Sequence, residues 1–294
     1  MFFNTDTRGK LAFSSVAKEY DEARPVYPES IFRDAIAAMR KQGFPGRKPA
    51  DVLEIGAGSG QATEQLQKRA VHLDVLEPGQ AFAKTLRRRY GCCANTRIFE
   101  TTFEDFEAAR RYDLVASASA LHWIPKKTFY GRIFKLLKPG GWFLGMWHLP
   151  LFSEAVYGVI RETISPRLPG FSIPRPSRDI LKLFAEGYSE FSQKRGFVHC
   201  WQKTYSSERP LSAELCAALI WSYFNVDSLP KRGNAKMQTS LKSHLLGLPC
   251  EDLGVRDTFE VVMGQSPKAS RLTKRCSGLA RKTRRVGSSK VASR

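Results

Sequence analysis

The chain has 294 residues, 42% of them apolar, with 47 Lys and Arg against 28 Asp and Glu, a net charge of +19; this suits a globular chain of one large domain or two small ones. Its longest apolar run, residues 142–152, is too short to span a bilayer, the N-terminus lacks a basic-then-apolar leader, and six scattered cysteines form no CxxC pair. No membrane span, secretory leader, disulfide framework or zinc site is therefore expected, and reduced thiols in the cytoplasm are.

Residues 11–40 read as two helical pieces parted at ARPVYPES, where Pro25 and Pro28 impose extended backbone and Ser30 is placed to cap the next helix. After the loop QGFPGRKPA, DVLEIG reads as a buried strand, GSGQATEQLQKRA as a helix and VHLDVLEP as a second strand. GQAFAKTLRRRY is helical, RIFETTF a short strand, YDLVASASA a fourth strand, KKTFYGRIFKLL a helix stopped by KPGG, and WFLGMWH a fifth strand. Strands alternating with helices predict an α/β fold, a parallel sheet with helices on both faces.

Beyond residue 150 the rhythm breaks into helices (AVYGVIRETI, ILKLFAEGY, LSAELCAALIWSYF, KRGNAKMQTSLKSHLL), a proline-rich loop, and two strands, FVHCWQKTY and DTFEVVMG. The loop PRLPGFSIPRP and the helices around 181–225 are expected to form a lid over an acceptor, carrying Arg167, Arg175, Arg178, Trp201 and Trp221. No acidic residue follows Glu260 and ten basic ones lie from Lys268 onward, leaving 37 basic against 28 acidic, a net +9, before them. That tail cannot bury a core and is expected to be disordered. Its clusters KR and RKTRR suit nucleic acid, an anionic surface or a nuclear address, or a solvated end. No aromatic residue follows Phe259, so stacking on bases is not expected there.

The first strand runs into Gly56, Gly58 and Gly60 at alternate positions, with Glu54 two residues before them. Glycines at a strand-to-helix turn let a nucleotide-like ligand approach the main chain and the N–H groups of the helix. The dinucleotide pattern G-x-G-x-x-G fails at Gln61. Glu77 ends the second strand beside this loop, where a carboxylate can accept both hydroxyl hydrogens of a ribose.

EIGAGSG, the acid in LEPG, YDLVASASALHW and LLKPGGWFL, in this order and spacing, resemble the class I S-adenosylmethionine-dependent methyltransferases. KEYDEARPVYP resembles the N-terminal helix and cap of their small-molecule branch, which includes trans-aconitate methyltransferase-like proteins. The resemblance covers about residues 10–150 and extends more loosely to 264. It implies a Rossmann-like, mostly parallel seven-stranded sheet, the last strand antiparallel beside the fifth, with a helical lid insertion. The expected domain spans 1–267, with a cofactor-binding core at 10–150 and lid and C-terminal strands at 151–267, before the tail at 268–294.

The cofactor implied is S-adenosyl-L-methionine, with no metal. Glu54, Gly56, Ala57, Gly58 and Gly60 would form its loop and Glu77 would bind the ribose. The adenine would lie along Thr101–Glu104, with Phe103 beside it and Thr102 where the family often places an Asp. Ser117 and its small neighbours Ala118 and Ala120 would leave room at the carboxyl edge of the fourth strand. Tyr20, Arg24 and Tyr27 belong to the segment that closes over the cofactor, Tyr20 and Arg24 being expected to bind it, with Arg24 able to grip a carboxylate of cofactor or substrate, and Tyr27 facing the substrate. His122 and Trp123 would wall the acceptor space, with His122 the candidate base if the acceptor must lose a proton.

The activity implied is methyl transfer by in-line displacement to a small-molecule acceptor such as a carboxylic acid, by a monomer. An RNA- or protein-directed methyltransferase using the basic tail, or a non-catalytic cofactor-binding regulator, are the alternatives. Ser-Ala-Leu-His-Trp stands where base-directed enzymes often carry Asn/Asp-Pro-Pro-aromatic, so exocyclic base methylation is not expected.

Overall fold

The computed structural model describes residues 21–168, 173, 176–223 and 231–268; Tyr20, Arg175 and the tail beyond Lys268 lie outside them. Helix α1 (Glu29–Lys41) leads into β1 (Asp51–Ile55), α2 (Thr63–Gln67), β2 (His72–Leu76), α3 (Gln80–Tyr90), β3 (Thr96–Phe99) and β4 (Tyr112–Ala118). Then come α4 (Lys126–Leu136), β5 (Leu137–Phe152), α5 (Glu154–Thr163), α6 (Arg178–Ser189), β6 (Val198–Arg209), α7 (Ala213–Trp221), α8 (Lys231–Leu246) and β7 (Val255–Gln265).

The strands form one seven-stranded sheet in the order β3-β2-β1-β4-β5-β7-β6, with β7 antiparallel to both its neighbours. Its inner strands are buried on both faces, which is why they read as apolar runs rather than as alternating ones. Val52, Leu114, Trp142 and Val261 pack toward α1 and α2 on one face. Leu53, Val115, Phe143 and Val262 pack toward α4 and α6 on the other. β1 pairs with β2 on one side and β4 on the other. The chain order reverses there, so the carboxyl ends of these strands open a crevice.

Three expectations change in detail. Ser30 caps nothing: α1 starts directly after Pro28, whose fixed φ enters the helix without a side-chain acceptor. The caps that do form are Ser153, Ser177 and Ser212, each accepting from a backbone N–H three residues on. The helix after the glycine loop begins only at Thr63, because the left-handed glycines spend residues 56–62 on turns. β5 extends past WFLGMWH in both directions, paired with β4 at Leu137 and with β7 as far as Phe152.

The lid is also narrower than expected. α5, α7 and α8 share a core of their own, including Val156, Ile160, Cys216, Ile220, Leu241 and Trp221. α6 instead lies on the sheet, where Phe184 meets Trp147 at 5.3 Å, so Arg178 at its start is no part of that helical group. Trp201 belongs to β6 and packs on the α1 side of the sheet. Among the described residues no helix is long and apolar enough to cross a membrane.

Candidate functional site

The glycine loop is bound to the sheet by its own backbone. Gly56, Gly58 and Gly60 all have positive φ, at 66°, 59° and 103°. The N–H groups of Gly56 and Ala57 both donate to the Leu76 carbonyl, at 2.9 and 3.1 Å. Glu77 holds the loop from the side: one carboxylate oxygen accepts from Gly58 N–H and the other from Gly79 N–H, each at 2.7 Å. Each oxygen keeps a second lone pair. Arg89 donates to the Ser59 carbonyl at 2.8 Å, and Tyr27 N–H donates to the Gln61 carbonyl at 3.3 Å.

Glu54 lies fully buried at the end of β1. Its Oε2 accepts from the Thr63 hydroxyl at 2.7 Å, while Oε1 is enclosed with no hydrogen-bond partner. Burial pushes its carboxyl up to about 8, against the Thr63 hydrogen bond and with the charge of Glu77 adding to the rise. Burial likewise raises Glu77 to about 7, opposed by its two backbone hydrogen bonds. A carboxyl that holds its proton more tightly folded than unfolded stabilises the fold while protonated. That contribution is whole below the ordinary value of 4.5 and is lost as pH rises through 7 and 8. Below the ordinary histidine value of 6.5 the depressed His122 and His148 work the other way, so the ligand-free protein is expected to lose thermal stability from about pH 6.5 to about pH 8. Thermal melts across that range check it, and Glu54→Gln should flatten the slope; an unchanged slope would place the titration elsewhere.

A narrow cleft opens beside the loop, lined by Arg24, Pro25, Tyr27, Ala57, Gln61, Ala62, Ala118, Ser119 and His148. Ser119 ends β4 in a left-handed conformation, φ 50°. Its Oγ accepts from His148 N–H at 3.0 Å and lies 2.8 Å from the Tyr27 hydroxyl. Arg24 is held by Ser222, donating from Nε to Oγ at 2.8 Å and from Nη2 to the carbonyl at 3.2 Å. Its guanidinium lies 3.6 Å from the centre of the Tyr223 ring.

The structure thus gathers Arg24, Tyr27 and Ala57 around one cleft, with Glu54, Gly56, Gly58, Gly60 and Glu77 forming the adjoining loop. Other expected site residues face elsewhere. Ser117 is buried, its hydroxyl donating to the Ile55 carbonyl at 3.3 Å. Phe103 is a core residue 6.1 Å from the Phe129 ring. Thr102 spends its hydroxyl on Asp105, at 2.6 Å to the carboxylate and 3.2 Å to the N–H. His122 and Trp123 form a short 3-10 turn with their rings 4.8 Å apart. Enclosure, then the Arg24 cation, push His122 down to about 4.

Ser119 and His148 are cleft residues that the sequence reading passed over. The one available signal for His148 is a histidine inside the apolar run 142–152. Among the described residues no group of three His, Cys, Asp or Glu side chains could hold a metal ion.

Residues 53–143 match the family model described as a methyltransferase domain. An uncharacterised methyltransferase of Schizosaccharomyces pombe is 23% identical, over 81% of this chain and 88% of its own length. Malonyl-[acyl-carrier protein] O-methyltransferase 2 of Ilyobacter polytropus is 25% identical over 52% of this chain. Trans-aconitate 2-methyltransferase of Deinococcus radiodurans is 28% identical over 37% of it. The chain spans 56% and 43% of the lengths of these two enzymes. A solved structure assigned provisionally as a type II methyltransferase, from Anaeromyxobacter dehalogenans, shares the fold, with a TM-score of 0.53 at 19% identity over 83% of this chain and 97% of that one. The sheet order and the glycine loop agree with this match: residues 53–143 form a methyltransferase domain, of the class I, S-adenosylmethionine-dependent kind.

Proposed function

We propose that the protein methylates an oxygen of a small-molecule carboxylic acid. The observation that carries this reading is Arg24, a cation at the cleft held flat on Tyr223 and fixed by Ser222. The two nearby histidines, His122 and His148, are both pushed down to about 4 by burial and by that same cation. Arg24 is thus a cation beside two neutral histidines, and a forked guanidinium is well suited to a carboxylate. By their names, two of the relatives act on a malonyl group and on trans-aconitate, both of which carry carboxyl groups.

The residues present fit the cofactor. Glu54 offers a buried carboxyl oxygen that has no hydrogen-bond partner, and Glu77 keeps a lone pair on each oxygen. We assign the methionine end to Glu54, Gly56, Ala57, Gly58 and Gly60, and the ribose to Glu77. The adenine belongs to the Thr102–Phe103 segment, through its backbone, because both side chains are engaged elsewhere. When bound, S-adenosylmethionine supplies a methyl group already activated on a sulfonium. The protein's part is to align the acid and exclude water. Arg24 orients the carboxylate, and Tyr27 and Ser119 hydrogen-bond beside it. An ionised carboxylate has no proton to lose, so a neutral His122 takes none.

The test is a labelled-methyl screen of the purified protein against pools of small acids, amines, RNA and protein. Label is expected in the acid pool and should be released as methanol by mild alkali, as from an ester. Alkali-stable label in the amine, RNA or protein pool would overturn the reading. Removing residues 268–294 should leave turnover on the acid unchanged. Loss of turnover would favour the macromolecular alternative, which rests on the basic tail.

A further inference from the structure

From the wall of the cleft inward runs a chain of buried and half-buried polar side chains for which the methyl-transfer reading has no use. His148 projects from β5 with its side chain 3% exposed, its Nε2 2.7 Å from Asp257 Oδ1. Asp257, on β7, is fully buried. Arg209, on β6, donates from Nε to the other carboxylate oxygen at 2.5 Å and from Nη2 to the Ala23 carbonyl at 3.2 Å. On the far side of the imidazole, Nδ1 lies 3.3 Å from the Tyr223 hydroxyl. The Tyr223 ring is the platform on which Arg24 rests.

The directions of these bonds follow from the charges. Burial works against ionising Asp257, yet its bonds to His148 and Arg209 keep the carboxyl below its ordinary value. It is an acceptor. Burial, joined by the Arg24 and Arg209 cations and opposed by Asp257, keeps the imidazole neutral. A neutral imidazole has one N–H, and Asp257 claims it at Nε2. Nδ1 is left as a lone pair for the Tyr223 hydroxyl to donate to.

We infer that Asp257 and His148, set by Arg209, are positioning residues for Arg24: they orient Tyr223, and Tyr223 carries the guanidinium at the cleft. Apolar side chains of similar volume could fill this part of the sheet at no loss of stability, and often with a gain. Polar groups kept there instead are consistent with a placement role. None of the five residues falls within 53–143, the stretch matched by the methyltransferase model. The cofactor end of the site is thus set by the first half of the sheet, and the acceptor end by β5, β6, β7 and the end of α7. Only the last link, what Arg24 grips, rests on the carboxylic-acid reading.

The test uses the full chain and two variants, Tyr223→Phe, which keeps the ring and removes only the hydroxyl, and His148→Phe. Nitrogen-15 NMR of the wild type should show His148 protonated at Nε2 and not titrating between about pH 5.5 and 8. The Arg24 Nε–H signal, identified by its loss in Arg24→Lys, should be slow to exchange and become roughly tenfold faster in both variants. With S-adenosylhomocysteine saturating the protein, trans-aconitate as probe should bind roughly tenfold more weakly to both variants, while affinity for S-adenosylhomocysteine moves less than about twofold. A His148 that titrates in that range or carries its proton on Nδ1 would overturn the inference. So would Arg24 exchange that neither variant changes. If exchange responds as expected but the wild type binds no carboxylate probe, the relay stands and the acid reading falls.

Discussion

Replacing Glu77 with glutamine is expected to raise the dissociation constant for S-adenosylmethionine by roughly 10- to 100-fold. Both carboxylate oxygens accept backbone N–H groups, from Gly58 and Gly79. An amide offers one oxygen in their place, and its NH₂ meets the second N–H donor to donor. An enclosed donor left unsatisfied costs about 1–3 kcal/mol, and every 1.4 kcal/mol is about tenfold in affinity. Because Gly58 is one of the loop glycines, the loss falls on the loop's shape as well as on any contact to the ligand. Isothermal titration measures the effect, with a melt of the ligand-free variant to separate loss of fold from loss of binding. Affinity within about threefold of wild type would remove Glu77 as the clamp of the loop.

Gly56→Ala should be more damaging still, abolishing measurable cofactor binding and lowering stability by about 3 kcal/mol or more. A Cβ at this position would lie 2.5 Å from the Ala120 Cβ, and the backbone sits at φ 66°. The left-handed conformation alone costs a non-glycine residue about 1–2 kcal/mol. The overlap cannot be relieved by a side-chain rotation, because Ala120 has no flexible end, so the backbone after β1 or after β4 must move. Gly131 supplies the control. Nothing lies within 4 Å of a Cβ built there, and it sits inside α4, where alanine is favoured by about 0.5–1 kcal/mol. A denaturation midpoint that falls for Gly56→Ala and rises slightly for Gly131→Ala is the expected pair. Equal behaviour of the two would show that the loop tolerates a side chain.

Much of the cofactor end was legible in the residues because it is built locally. A strand, three glycines and an acid at the end of the next strand are short-range features, and the turn chemistry that makes them also makes them readable. Phe103, Ser117 and Thr102 mark the limit of that reading. Each stands at a plausible position along the chain, yet a side chain's direction depends on the pleat, the neighbouring strand and the nearest acceptor. Ser117 found the Ile55 carbonyl, Thr102 found Asp105, and Phe103 found the aromatic cluster under α4.

The sequence by itself determined the α/β class, the seven strands and the position of the glycine loop, because apolar runs, glycines and terminal acids act over a few residues, and its resemblance to a known family named the cofactor. The polar cluster behind the cleft was decided only by the tertiary structure. Arg24, His148, Arg209, Tyr223 and Asp257 span more than 230 positions of the chain. They meet because β7 inserts antiparallel between β5 and β6, pairing His148 with Phe259, Ser207 with Asp257, and Arg209 with Val255. That register places a histidine, a carboxylate and a guanidinium side by side, a juxtaposition set by long-range strand pairing, and burial of His148 and Asp257 makes each the other's hydrogen-bond partner.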